Sequence, residues 1–158
     1  MKSIKLIILT SFGLLAALAC SEKKENKENE EVHSTSLSTL SQKETQYYSN
    51  GRKLYKTICS NCHMENGAGL GRLIPPLAKS DYLINNRGDL ARVLKYGING
   101  PMTVNGINYN QPMPANPNFT DLEIAEILTY IGNTWGNEMG GFSIEEVVKD
   151  LAKASAND

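Results

Sequence analysis

The pattern of apolar and polar positions divides the chain into an apolar head, a polar neck and a helical body. Leu6 to Leu18 is an apolar run behind the basic start Met1-Lys2-Ser3-Ile4-Lys5, too short for a comfortable bilayer span. Ser21 to about Glu44 is rich in Lys, Glu, Asn, Ser and Thr and has no aromatic ring. Such a stretch buries too little surface to offset chain entropy and reads as a flexible tether. From Thr45 the spacing turns helical, predicting a first helix over about Thr45 to Ile58, a short one near Ser80 to Asn85 and another from Asp89 to Tyr96. Asn105-Gly106 between β-type residues predicts a tight hairpin. Thr120-Asp121-Leu122-Glu123 is a capping box, and Ile124, Ile127, Leu128, Ile131 and Trp135 behind it have helical spacing. After Gly140-Gly141, Ser143-Ile144-Glu145-Glu146 opens a further capped helix with Ile144, Val147, Val148 and Leu151 on one face. The expected class is all-α with a small hairpin.

Length changes this picture little: 158 residues, less a head and a neck, leave one domain of ordinary size. The head reads as an export signal. Its end, Ala17-Leu18-Ala19-Cys20, resembles a bacterial lipobox, in which the cysteine is acylated and becomes the first residue of the mature protein. Ala17 stands where Leu is usual, and plain cleavage after Ala19 without a lipid is the alternative. The expected layout is therefore a signal peptide over 1–19, a lipidated tether over 20–44 and a folded domain over 45–158 that includes an extra C-terminal helix. The product is expected outside the cytoplasm, periplasmic or at the cell surface, held to a bacterial membrane through Cys20. As a coil the tether has a reach of roughly 25–30 Å. Without Lys2 and Lys5 the 16 basic residues fall to 14 against 17 acidic ones, a net charge near −3. No basic patch with interleaved aromatics appears, so no nucleic-acid partner is indicated.

The cysteines carry the chemistry. With Cys20 assigned to the lipid, Cys59 and Cys62 remain, in Cys59-Ser60-Asn61-Cys62-His63. A Cys-x-x-Cys alone fits a disulfide, a redox dithiol or half a zinc site. Zinc needs two further ligands, and the chain has only His63 and the tether's His33, a lone histidine to which no role is assigned; a redox dithiol of the thioredoxin type needs a βαβ setting that the flanks lack. Haem attachment uses every letter of the motif. Two thiols three positions apart at a helix end each add to a haem vinyl group, and the following His63 is delivered to the iron. The expected cofactor is one covalently bound haem c per chain.

At this point the sequence resembles a family, the class I monohaem cytochrome c domain of the bacterial lipoprotein type, over roughly Gln46 to Leu151. The matching stretches are Gly51-Arg52-Lys53-Leu54-Tyr55, Ile58 to His63, Gly67-Ala68-Gly69-Leu70-Gly71, Ile74-Pro75-Pro76-Leu77, Gln111-Pro112-Met113-Pro114-Ala115 and Leu128 to Gly136. The resemblance implies the cytochrome c fold, several helices around the haem. It also implies that Gly51 and Tyr55 form the notch and ring where the first helix crosses the last. A soft thioether opposite His63 favours Fe(II) and closes the iron to small ligands. Met64 is adjacent to His63 and Met139 lies past the last matched helix, which leaves Met102 and Met113. Flanking prolines stiffen the Met113 loop, and Pro-Met-Pro-Ala before the last core helix resembles the family's axial-methionine loop, so Met113 is favoured and Met102 is read as packing. The expected iron ligands are His63 and Met113. The proximal ring needs an acceptor for its second proton; in the family this is a proline carbonyl, which Pro75 matches by position, with Pro76 adjacent. Arg72, Asn105 and Tyr109 are candidates for a haem propionate, and Tyr130 and Trp135 are read as core.

The implied function is a one-electron carrier in an extracytoplasmic chain, not an enzyme. It would meet redox proteins at the exposed haem edge and have no small-molecule substrate. The alternatives are a fixed cytochrome subunit of a dehydrogenase or nitrite reductase, and a peroxidase or gas sensor in which the methionine is displaced.

Overall fold

Ser41 caps a first helix that begins at Gln42, three residues ahead of the expected Thr45. In the computed structural model, which describes residues 38–155, Ser41 Oγ accepts from Glu44 N at 3.3 Å, and Glu44 Oε2 accepts from Ser41 N at 2.7 Å. This capping box satisfies two orphan donors of helix α1, Gln42–Leu54. The same bonds hold the Glu44 carboxyl below the usual carboxylate range. The export signal, Cys20, His33 and most of the tether lie outside the described residues.

α1 does not run on regularly into the cysteine motif. Tyr55–Cys59 forms a π-turn, in which Ser60 N donates to Tyr55 O, and α2, Ser60–His63, follows. The wider turn leaves the Lys56 carbonyl without its usual donor, and the Ser60 hydroxyl takes it at 2.7 Å. Such single π-turns inside helices are frequent at functional sites.

The last core helix, α5, spans Asp121–Ile131 and is capped by Thr120 and Glu123 as expected. Every residue from Ile124 to Ile131 is buried. α1 crosses it at Gly51, where an added Cβ would stand 1.9 Å from the Glu126 carbonyl oxygen; only a residue without a side chain permits this approach. Beside the crossing, Asn50 Nδ2 donates to Glu126 Oε1 at 2.8 Å. The expected stripe holds through Ile131, but Trp135 is not part of the helix, which ends before Gly132. Trp135 instead sits on a left-handed residue at φ 55°, which turns its ring onto Tyr55 and Tyr130 at 5.1 and 5.5 Å between centroids.

Between these helices lie α3, Asp81–Asn85, and α4, Leu90–Tyr96, with a 3-10 turn Arg87–Asp89 between them. Strands β1, Met102–Val104, and β2, Ile107–Tyr109, pair antiparallel with Met102 opposite Tyr109 and Val104 opposite Ile107. Asn105 and Gly106 take the positive φ values, 50° and 75°, that a two-residue hairpin demands. The C-terminal helix α6, Ile144–Ser155, packs on α4 and α5 through buried Val147. Val148, expected on the same face, is 48% exposed, so the buried stripe is narrower than its spacing suggested. Arg87 ties this region down: its guanidinium donates to both Glu146 carboxylate oxygens and to the Met139 and Gly141 carbonyls, and lies 3.7 Å from the Phe142 ring centroid. No described helix is long and apolar enough to cross a membrane.

Candidate functional site

The π-turn and α2, the Met113 loop, and the inner faces of α4 and α5 line a cavity of about 270 Å³. Cys59, Cys62, His63, Pro75 and Met113 all line it. The sequence placed these five residues across 55 positions of chain, and the fold brings them to one space. Most of the remaining wall is aliphatic, from residues such as Leu94, Ile127 and Leu128, and Gln111 supplies one of its few polar side chains. An apolar slot with a few convergent polar groups suits a large planar cofactor.

Each chemical group has a structural reason for its state. His63 Nδ1 lies 3.3 Å from the Pro75 carbonyl oxygen. With Nδ1–H donating there, Nε2 keeps its lone pair for a metal. Burial lowers the imidazole's affinity for a proton, and the Pro75 bond opposes this only in part, so the ring is neutral as a ligand must be. Burial and then the neighbouring Cys62 push the Cys59 thiol up to about 11. A reactive thiol is a depressed one, and burial moves the Cys59 thiol the other way. Among the described residues no group of three or more His, Cys, Asp or Glu side chains gathers to hold a metal ion. The cavity, two unpaired thiols and one oriented imidazole do fit a thioether-linked haem.

Tyr55 is fully buried in the cavity wall, and its hydroxyl donates to the Met64 carbonyl at 2.6 Å. That bond fixes the turn after His63, where Met64 takes φ 63°. Met113 is held by a two-way backbone bridge to Ile98, at 3.1 and 3.0 Å. Met102 also lines the cavity, from the start of β1.

The three propionate candidates are placed elsewhere. Asn105 Oδ1 accepts from Asp81 N at 3.0 Å while Asn105 N donates to Asp81 Oδ1 at 2.7 Å, so this residue fastens the hairpin turn to the start of α3. Tyr109 is buried with its hydroxyl 3.5 Å from the Gly71 carbonyl. Arg72 is exposed. None of the three lines the cavity. Sequence reasoning missed Gly97 and Asn116, which pack on the Met113 loop; the first is visible in sequence only as a helix-ending glycine.

Comparison with known proteins gives a consistent result. The Cytochrome c family model matches residues 48–135. A cytochrome c-552 of Thermus thermophilus is 38% identical over 112 residues, covering 65% of this chain and 85% of that protein. A second cytochrome c-552, also from Thermus thermophilus, is 38% identical over 112 residues, 65% of this chain and 75% of its own length. The cytochrome c subunit of a quinone alcohol dehydrogenase from Gluconobacter oxydans is 33% identical over 93 residues, 58% of this chain and 19% of that subunit.

Proposed function

We propose, from the premise that the chain belongs to the cytochrome c family, that it relays single electrons through an iron held between His63 and Met113 in an extracytoplasmic chain. Membership itself makes the protein a haem electron carrier rather than an enzyme, with one covalently bound c-type haem per chain. When bound, that group supplies a reversible one-electron change between Fe(III) and Fe(II).

The chain's own residues do the rest. Cys59 and Cys62 tether the macrocycle to the end of the helical arm. His63 ligates through Nε2, oriented by the Pro75 carbonyl 3.3 Å from Nδ1. Met113 would supply the second, thioether ligand, a soft donor that favours the reduced state. The aliphatic walls would keep water from the site and so disfavour the extra charge of oxidised iron, which raises the potential. The observation that carries this reading is the convergence of both thiols, His63 and Met113 on one apolar cavity.

In the same reading the chain is exported and lipidated at Cys20, and the domain stays near its membrane. Its partners are redox proteins. The dehydrogenase cytochrome subunit among the relatives supports a second reading, in which this domain serves a fixed catalytic complex. Oxidised and reduced holoprotein test the ligation directly. The oxidised form should show a near-infrared sulfur-to-iron band, and the reduced form should not bind carbon monoxide readily. Ready binding in the native protein would favour the peroxidase or sensor alternative. Co-purification with a dehydrogenase subunit would favour the fixed complex.

A further inference from the structure

The loop that carries Met113 is gripped by the end of α4. The last-turn carbonyls of a helix lack intrahelical donors, and here the loop supplies them: Asn116 N donates to Lys95 O at 3.2 Å, and Asn116 Nδ2 to Leu94 O at 3.3 Å. Just beyond, Ile98 and Met113 exchange both of their backbone bonds. Gly97 sits between these two sets of bonds, at φ 78° and ψ −173°, a region that essentially only glycine adopts. A Cβ on Gly97 would stand 2.4 Å from Met113 O, 2.9 Å from Ala115 N and 3.0 Å from Pro114 C. All three are backbone atoms, so no rotamer change relieves the contact.

We propose that Gly97 is a positioning residue for Met113: its bare α-carbon lets the end of α4 and the methionine loop close to contact, and so sets how far the thioether reaches into the cavity. The inference rests on Met113 being the iron's second ligand. Moving the Met113 carbonyl from 2.4 Å to the 3.0 Å that a real Cβ tolerates shifts the loop by about 0.6 Å. Metal–ligand distances hold within about 0.2 Å, so a shift of that size has to be met by strained Met113 side-chain torsions or by a longer iron–sulfur contact.

The test compares holoprotein of the wild type, Gly97→Ala, Gly100→Ala and Met113→Ala by the near-infrared sulfur-to-iron band and by carbon monoxide affinity in the reduced state. Gly100 has φ 107° and no atom within 4 Å of its would-be Cβ, so it reports backbone strain without the contact. Gly97→Ala is expected to lose at least half of the band and to bind carbon monoxide at least tenfold more tightly. Gly100→Ala should match the wild type in both, even where its unfolding midpoint falls. If Gly97→Ala does not accumulate as holoprotein, Tyr96→Gly decides. Tyr96 is 52% exposed, and this change slackens the same junction without adding an atom, with an expected rise in carbon monoxide affinity of at least threefold. A band lost in Met113→Ala but kept in the deciding variant overturns this proposal alone. A band that survives Met113→Ala overturns it together with the ligation beneath it.

Discussion

Tyr55 joins three features of the molecule at one residue: it faces the cavity, packs on Tyr130 and Trp135, and donates to the Met64 carbonyl. Burial above all, then Cys59 and Tyr130 nearby, raises its phenol above the ordinary tyrosine range, and burial pushes Tyr130 up to about 12. In the unfolded chain both ionise near pH 10. The folded protein therefore keeps its full stability below about pH 10 and loses it as pH climbs toward the folded values, by at most about 1.4 kcal/mol per pH unit for each tyrosine. Tyr55→Phe should flatten this alkaline decline and cost about 1–2 kcal/mol at neutral pH, because the Met64 carbonyl loses its donor. Denaturant unfolding at pH 7 and pH 11 measures both effects, and an unchanged alkaline slope would refute the first. At this scale the covalent motif was legible, since Cys59, Cys62 and His63 are adjacent, and the twelve-residue offset to Pro75 matched a carbonyl that faces the ring. Arg72, Asn105 and Tyr109 were not legible: a polar side chain in a loop or short hairpin carries no direction in sequence, and Asn105 bonds to Asp81.

At the scale of elements, the crossing of α1 and α5 sets the angle at which the cysteine arm meets the cavity. Gly51→Ala forces a Cβ against the Glu126 backbone and should cost roughly 2–4 kcal/mol, read as a lower denaturant midpoint. Wild-type stability in that variant would mean that the helices part without penalty. The start of α5 was legible because a capping box stood directly before an apolar stripe. The start of α1 was missed for the opposite reason: its box, Ser41 to Glu44, lies within a polar run that resembles the tether. The π-turn had no sequence signal, because Tyr55 to Cys59 reads as a plain continuation of the first helix. Trp135 kept the helical spacing but left the helix, since the chain turns back at Gly132 and the spacing alone does not show where a helix stops.

At the scale of the whole molecule, the proposed anchor at Cys20 and the proposed iron ligation make separate predictions. Cys20→Ala should move the protein from the membrane fraction to the soluble extracytoplasmic fraction while leaving its haem spectrum intact, as fractionation and haem staining would report; retention at the membrane would argue for a different anchor. The most direct test is a spectroscopically monitored redox titration of wild-type and Met113→Ala holoprotein. The account predicts a single one-electron wave, with a slope near 59 mV per decade, whose midpoint drops by on the order of 0.1–0.2 V without the thioether, a fraction of the roughly 0.8 V that axial ligands span. A midpoint and spectrum untouched by Met113→Ala would contradict it.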